Sequence, residues 1–116
     1  YWEQNKDKIT AIAIDNGNGP VEPSVDSVLT LSYQPLSRPE FIYIKTSAMD
    51  RPEVAAFVKY YLSTDGQAGV KASGYVPFKP ETYERILKIV DQKKTGSIFD
   101  GQTGKAVEDV LTAAGL

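Results

Sequence analysis

The residues best suited to chemistry in these 116 are acidic ones close in sequence: Asp50 with Glu53, Glu81 with Glu84, and Glu108 with Asp109. Such pairs can share general acid and general base work when one carboxyl is held protonated. A simpler reading accounts for each. Asp50, Glu53 and Glu81 stand at expected helix starts, where negative charge is favourable, and Glu84, Glu108 and Asp109 fall opposite an apolar stripe on faces expected to be solvated. Histidine and cysteine are absent. This removes imidazole bases, thiolate nucleophiles and the commonest zinc ligands, and with them Ser-His-Asp, Cys-His and most zinc chemistry. A hydrolase on this chain would need a metal held by carboxylates, and no clustered ligand set is visible. No catalytic residue, no metal ligand and no cofactor is therefore expected, and the chain reads as something other than an enzyme.

Three further groups invite a functional reading. The glycine clusters Asp15–Gly19 (DNGNG) and Thr95-Gly96-Ser97 fail as phosphate loops. The first is not followed by a Lys-Ser/Thr pair or a clear helix, and the second follows a helix where it should precede one. A turn and a helix stop explain them. Tyr60, Tyr61, Tyr75 and Tyr83 could stack on a base or sugar, but Tyr61 and Tyr83 fall at core periodicity. In Tyr33-Gln34-Pro35-Leu36-Ser37-Arg38-Pro39 two prolines stiffen the backbone around Arg38. Its planar fork suits an oxyanion or a carboxylate, and a structural salt bridge in a stiff connector is the expected use.

These residues must be carried by a fold, and composition bounds it. With 41% hydrophobic and 24% charged residues the chain reads as an ordinary globular domain, long enough to form a core without disulfides or metal. A net charge of -2 gives no electrostatic reason to bind nucleic acid. The lack of cysteine suits an exported protein and a cytosolic one alike. No apolar run approaches the length that spans a bilayer, and a secretion signal, if the protein is exported, is expected upstream of Tyr1.

The pattern of elements is uneven. Residues 1–8 suit the end of a helix, and Ile9–Ile14 (ITAIAI) reads as a buried strand closed by the DNGNG turn. Ser24 is placed to cap a short helix through Val28 and Leu31. Phe41–Lys45 (FIYIK) is the strongest strand signal. Asp50 or Ser47 can cap the next helix, in which Pro52 sits in the first turn. The spacing of Val54, Phe57, Val58, Tyr61 and Leu62 makes that helix amphipathic, with Lys59 on the opposite face. On this phase Phe57 belongs to the core, and its truncation to Ala should cost about 3–5 kcal/mol. Weaker helical signal covers Asp65–Ala72. A helix opening at Pro80 carries Tyr83, Ile86, Leu87 and Val90 on one face, with Gly96 as its stop, and a last helix runs about Lys105–Ala114.

Two strands cannot cover so many apolar helix faces. A strand apolar at nearly every position, such as Phe41–Lys45, needs neighbours on both sides, so the set reads as part of a larger α/β sheet.

The ordered series carries a resemblance. Tyr1-Trp2-Glu3-Gln4-Asn5-Lys6-Asp7-Lys8, Asp15-Asn16-Gly17-Asn18-Gly19-Pro20, Pro35-Leu36-Ser37-Arg38-Pro39 with FIYIK, Arg51-Pro52-Glu53-Val54, Gly74-Tyr75-Val76-Pro77 and Lys94-Thr95-Gly96-Ser97-Ile98-Phe99 together resemble the phosphate-binding PstS family. The resemblance implies part of a type II periplasmic-binding-protein fold, α/β, in which two lobes close over one ligand. Residues 1–34 would end the inserted second lobe, 35–39 would cross the hinge, and 40–116 would supply the C-terminal strand and helices of the first lobe. It further implies capture of inorganic phosphate, delivery to an ABC permease in the inner membrane, and a periplasmic location with a signal or lipid anchor upstream. The family's phosphate contacts map upstream of this segment, so no residue here, Arg38 included, is assigned as a phosphate ligand. An autonomous sensor or interaction module of the same fold is the alternative. Taken alone, the segment is expected to self-associate through the unmatched edge of Phe41–Lys45.

Overall fold

The computed structural model describes residues 1–116, the side chain of Glu3 excepted. A short antiparallel ribbon pairs β1 (Ile14–Asp15) with β2 (Pro20–Val21), matching Ile14 to Val21 and Asp15 to Pro20. The intervening turn is closed by Asp15, whose Oδ1 accepts from the backbone N–H of Gly17 at 2.7 Å and of Gly19 at 3.0 Å. Both glycines have φ near +100°, which side-chain-bearing residues rarely adopt, so this cluster is a turn, as its composition suggests.

Five α-helices follow: α1 (Val25–Leu29), α2 (Pro52–Tyr61), α3 (Thr64–Ala72), α4 (Pro80–Asp91) and α5 (Val107–Ala113). Ser24 caps α1 in a reciprocal box with Ser27. Pro52 and Pro80 open α2 and α4, where a missing N–H costs nothing. The cap of α2 differs from expectation. Thr46–Asp50 forms a 3₁₀ turn of its own, leaving Arg51 at the cap with no capping side chain, and Arg51 pairs instead with Glu53. α3 starts immediately after α2, with the Ser63 hydroxyl accepting from Gly66 N–H. Here glycine is required, because a Cβ at Gly66 would collide with the Tyr60 and Tyr61 carbonyls. α4 stops before Gly96: Lys93 takes the left-handed conformation at φ +50°, and the N–H groups of Lys93 and Lys94 close on Val90 and Ile89.

Both expected strands are corrected. Of Ile9–Ile14 only Ile14 enters the ribbon, and residues 1–8 hold a single 3₁₀ turn, Trp2–Gln4. Phe41–Lys45 belongs to no strand, because no other segment among the described residues pairs with it. Strand propensity requires a partner to become a strand, and the two apolar runs do not supply one for each other.

Burial is correspondingly thin. The buried apolar side chains are Val58, Leu62, Phe99, Val110 and Leu111. α2 presents Val58 and Leu62 inward with Val54 and Tyr61 half-buried, but Phe57 is 66% exposed, which corrects its placement in the core. The period is right; nothing covers the side of the helix on which Phe57 lies. The radius of gyration of 16.3 Å exceeds the roughly 13 Å typical of a compact domain of this length. The accessible surface of 8502 Å² is about 2,300 Å² more than size scaling gives for a folded monomer.

In the 116-residue chain, Leu62→Ala should cost about 2–4 kcal/mol and Phe57→Ala under about 1 kcal/mol. Denaturant titration of the two variants checks this order. Equal losses would place Phe57 in a core that the structure does not contain.

Candidate functional site

Residues 33–37 are tied into a compact loop. Tyr33 N–H donates to Ser27 O at 3.1 Å, Ser37 N–H to Tyr33 O at 2.9 Å, and the Gln34 amide to Ser37 O at 3.2 Å. Tyr33 also reaches back along the chain, its hydroxyl donating to Ile12 O at 3.1 Å. Ser37 is buried, with no hydrogen-bond partner for its hydroxyl among the described residues. Arg38 is exposed, and the salt bridge expected of it is not formed with any described carboxylate. The segment runs along the surface, and the Asp50 and Glu108 carboxylates are engaged by Lys93 and Arg85.

Beyond this loop lies an apolar groove of ≈ 420 Å³. Ile42 and Ile44 form one wall, and Val54, Phe57, Val58 and Tyr61 of α2 form the other. Phe41 turns to a different neighbour, meeting the buried ring of Phe99 edge-on at 5.4 Å. Tyr43 is 93% exposed. Among the described residues no backbone N–H or C=O from 40 to 44 forms a hydrogen bond with another part of the backbone. Unpaired peptide groups thus lie beside uncovered apolar side chains.

The carboxylate pairs do no joint chemistry. Asp50 holds Lys93 at 2.6 Å. Glu53 holds Arg51 at 2.7 Å, and its own backbone N–H, together with Arg51, keeps its carboxyl below the usual range. Burial pushes the Tyr83 phenol up, opposed by the hydrogen bond its oxygen accepts from Phe78 N–H. Tyr61 and Tyr83 are partly buried as their spacing implies, whereas Tyr60 and Tyr75 are exposed. No group of acidic side chains among the described residues is arranged to hold a metal ion.

Glu108 departs from the solvated-face expectation. It accepts the hydroxyl of fully buried Thr82, and its Oε2 accepts from Arg85 Nη1 at 2.7 Å. Arg85 spends its other donors on Thr112 Oγ1 at 2.9 Å and Leu116 O at 2.7 Å, so one guanidinium fastens α5 and the last turn to α4. Sequence signals for this clamp are weak: Thr82 and Arg85 are three apart, Glu108 and Thr112 four apart, each pair on one helix face. Its chemistry is structural.

The geometry thus offers an exposed apolar groove beside residues 41–45. Comparison with known proteins supplies the class. The chain is 39% identical over 119 residues to protein SphX of Synechococcus elongatus, an alignment taking in 100% of this chain and 35% of that protein. It is 41% identical over 89 residues to the phosphate-binding protein PstS of Staphylococcus epidermidis, covering 75% of this chain and 27% of that protein. The resemblance to the PstS family is therefore found, and it falls on the C-terminal part of these relatives. The chain spans about a third of their length. No family model and no solved structure matches it.

A double-mutant cycle tests the clamp. Arg85 is largely shielded and Glu108 less so, so Arg85→Ala with Glu108→Ala should show a coupling of about 0.5–1.5 kcal/mol in chemical denaturation. A coupling indistinguishable from zero would mean that the Arg85–Glu108 pair adds nothing to the hold on α5.

Proposed function

We propose that this chain is the C-terminal segment of a phosphate-binding protein of an ABC transport system. The observation that carries the reading is the likeness to PstS across 75% of the chain. The bare groove beside residues 41–45 supports it from the side of geometry, since a segment taken from a larger α/β sheet would look this way. In this reading residues 1–34 end one lobe of a type II periplasmic-binding fold, 35–39 cross the hinge, and 40–116 complete the other lobe. Strands preceding Tyr1 flank Phe41–Lys45 and cover Ile42, Ile44 and Phe57. An autonomous module would have to cover that groove from its own residues.

The function of the full-length protein is then capture of inorganic phosphate outside the cytoplasm and delivery to a membrane permease. Lobe closure is the mechanism, and the hinge absorbs the motion. No bond is made or broken. Phosphate ligands come from loops and helix N-termini outside residues 1–116, consistent with a segment in which no carboxylate or arginine cluster is arranged around an anion. Ser37 and Arg38 act in the crossing, where the unused hydroxyl and guanidinium meet groups of the remainder of the protein.

Calorimetric titration with inorganic phosphate separates the parts of this reading. The 116-residue chain should give no saturable binding at micromolar ligand, and the full-length protein should bind. Micromolar binding by the short chain would overturn the upstream placement of the ligands. Failure of the full-length protein would overturn the phosphate function.

A further inference from the structure

We infer that the turn at residues 15–19 is a double deamidation site, at which Asn16 and Asn18 each convert to aspartate or isoaspartate, and that the Asp15 carboxylate is the positioning group that holds both reactions in check. Two Asn-Gly steps follow one another here, Asn16-Gly17 and Asn18-Gly19, and Asn16, Gly17 and Asn18 are exposed. At such a step the backbone nitrogen of the glycine, on losing its proton, attacks Cγ of the preceding asparagine. The new N–Cγ bond closes a succinimide ring, the Cγ–Nδ2 bond breaks, and the side-chain nitrogen takes up a proton and leaves as ammonia. Water then opens the ring at either carbonyl, giving aspartate or isoaspartate. The sequence is a hydrolysis, and water is its only co-reactant. Glycine leaves the attacking nitrogen open, and even a Cβ built at Gly17 or Gly19 would meet nothing within 4 Å, so no neighbouring group crowds the approach.

The two nitrogens that must attack are the two that Asp15 holds. Its Oδ1 accepts from Gly17 N–H at 2.7 Å and from Gly19 N–H at 3.0 Å. A nitrogen engaged this way directs its proton at the carboxylate, and losing that proton would set one anion beside another, which disfavours the reactive form. The carboxamides are tied as well, Asn18 Nδ2 donating to Asn16 Oδ1 at 3.2 Å. Every atom of this closure lies within residues 15–19, and the pairing of Ile14 with Val21 and of Asp15 with Pro20 frames it, so the restraint is local to the ribbon. Isoaspartate inserts a methylene into the backbone of the turn, and either product adds a negative charge near Asp15. One conversion therefore weakens the closure that restrains the other.

Peptide mapping by mass spectrometry, on full-length protein incubated at mildly alkaline pH, reads conversion at positions 16 and 18 directly. The native protein should convert at least about tenfold more slowly than the same protein in denaturant, and Asp15→Ala should raise the native rate about three- to tenfold by removing the charge-assisted hydrogen bonds. Asp15→Asn, which keeps an acceptor and gives up the charge, should fall between the two. Asn5, the remaining asparagine, reports general loosening of the fold in the same digests, and its rate should be equal in all three proteins. Native and denatured protein converting equally fast, or no conversion at either position in denaturant, overturns the inference whether or not the variants fold. So does an Asp15→Ala protein that shows no acceleration, or one whose acceleration Asn5 shares.

Discussion

A peptide group leaves water readily only with a hydrogen-bond partner, and residues 40–43, which have no backbone partner among the described residues, stay exposed. Helices satisfy their backbones internally, so α1 to α5 form within these 116 residues. A strand depends on another segment. Phe41–Lys45 has the side chains of a central strand and no neighbour, and the neglected apolar face of α2 follows from that single deficit. Phe57 is uncovered, the radius of gyration is large, and the excess surface has no internal use.

What order exists away from this edge comes from local devices and a few long-range polar contacts. The Ser24–Ser27 box, the Asp15 turn and the prolines at the starts of α2 and α4 fix elements one at a time. Lys93 with Asp50 and Lys59 with Asp91 link α4 to the α2 region through exposed pairs, which individually contribute little. The Arg85 clamp is better shielded, and it ties α5, which carries buried Leu111, to α4, which carries buried Thr82. A structure held this way has ordered helices and a thin apolar interior.

The functional consequence lies in the division of labour that the chain implies. A binding protein that closes around a small anion needs ligand loops at its cleft, a crossing that bends, and a rigid lobe behind them. The described residues supply five helices and a loop held by Tyr33, Gln34 and Ser37.

Read alone, the sequence determined the helices. Their apolar period, the prolines at α2 and α4 and the serine cap of α1 are local, and helix hydrogen bonds join residues four apart. It also determined the ordered series of residues that resembles PstS, and the exclusion of histidine and cysteine chemistry. Tertiary structure decided the rest. Whether Phe41–Lys45 becomes a strand, and whether Phe57 is buried, depends on atoms distant in the chain or outside it. The stop of α4 at Lys93 and the clamp of Arg85 on Glu108, Thr112 and Leu116 were likewise settled by packing. Residue type specifies which groups can pair, but only the folded chain brings residues 23 to 31 positions apart within 3 Å of each other.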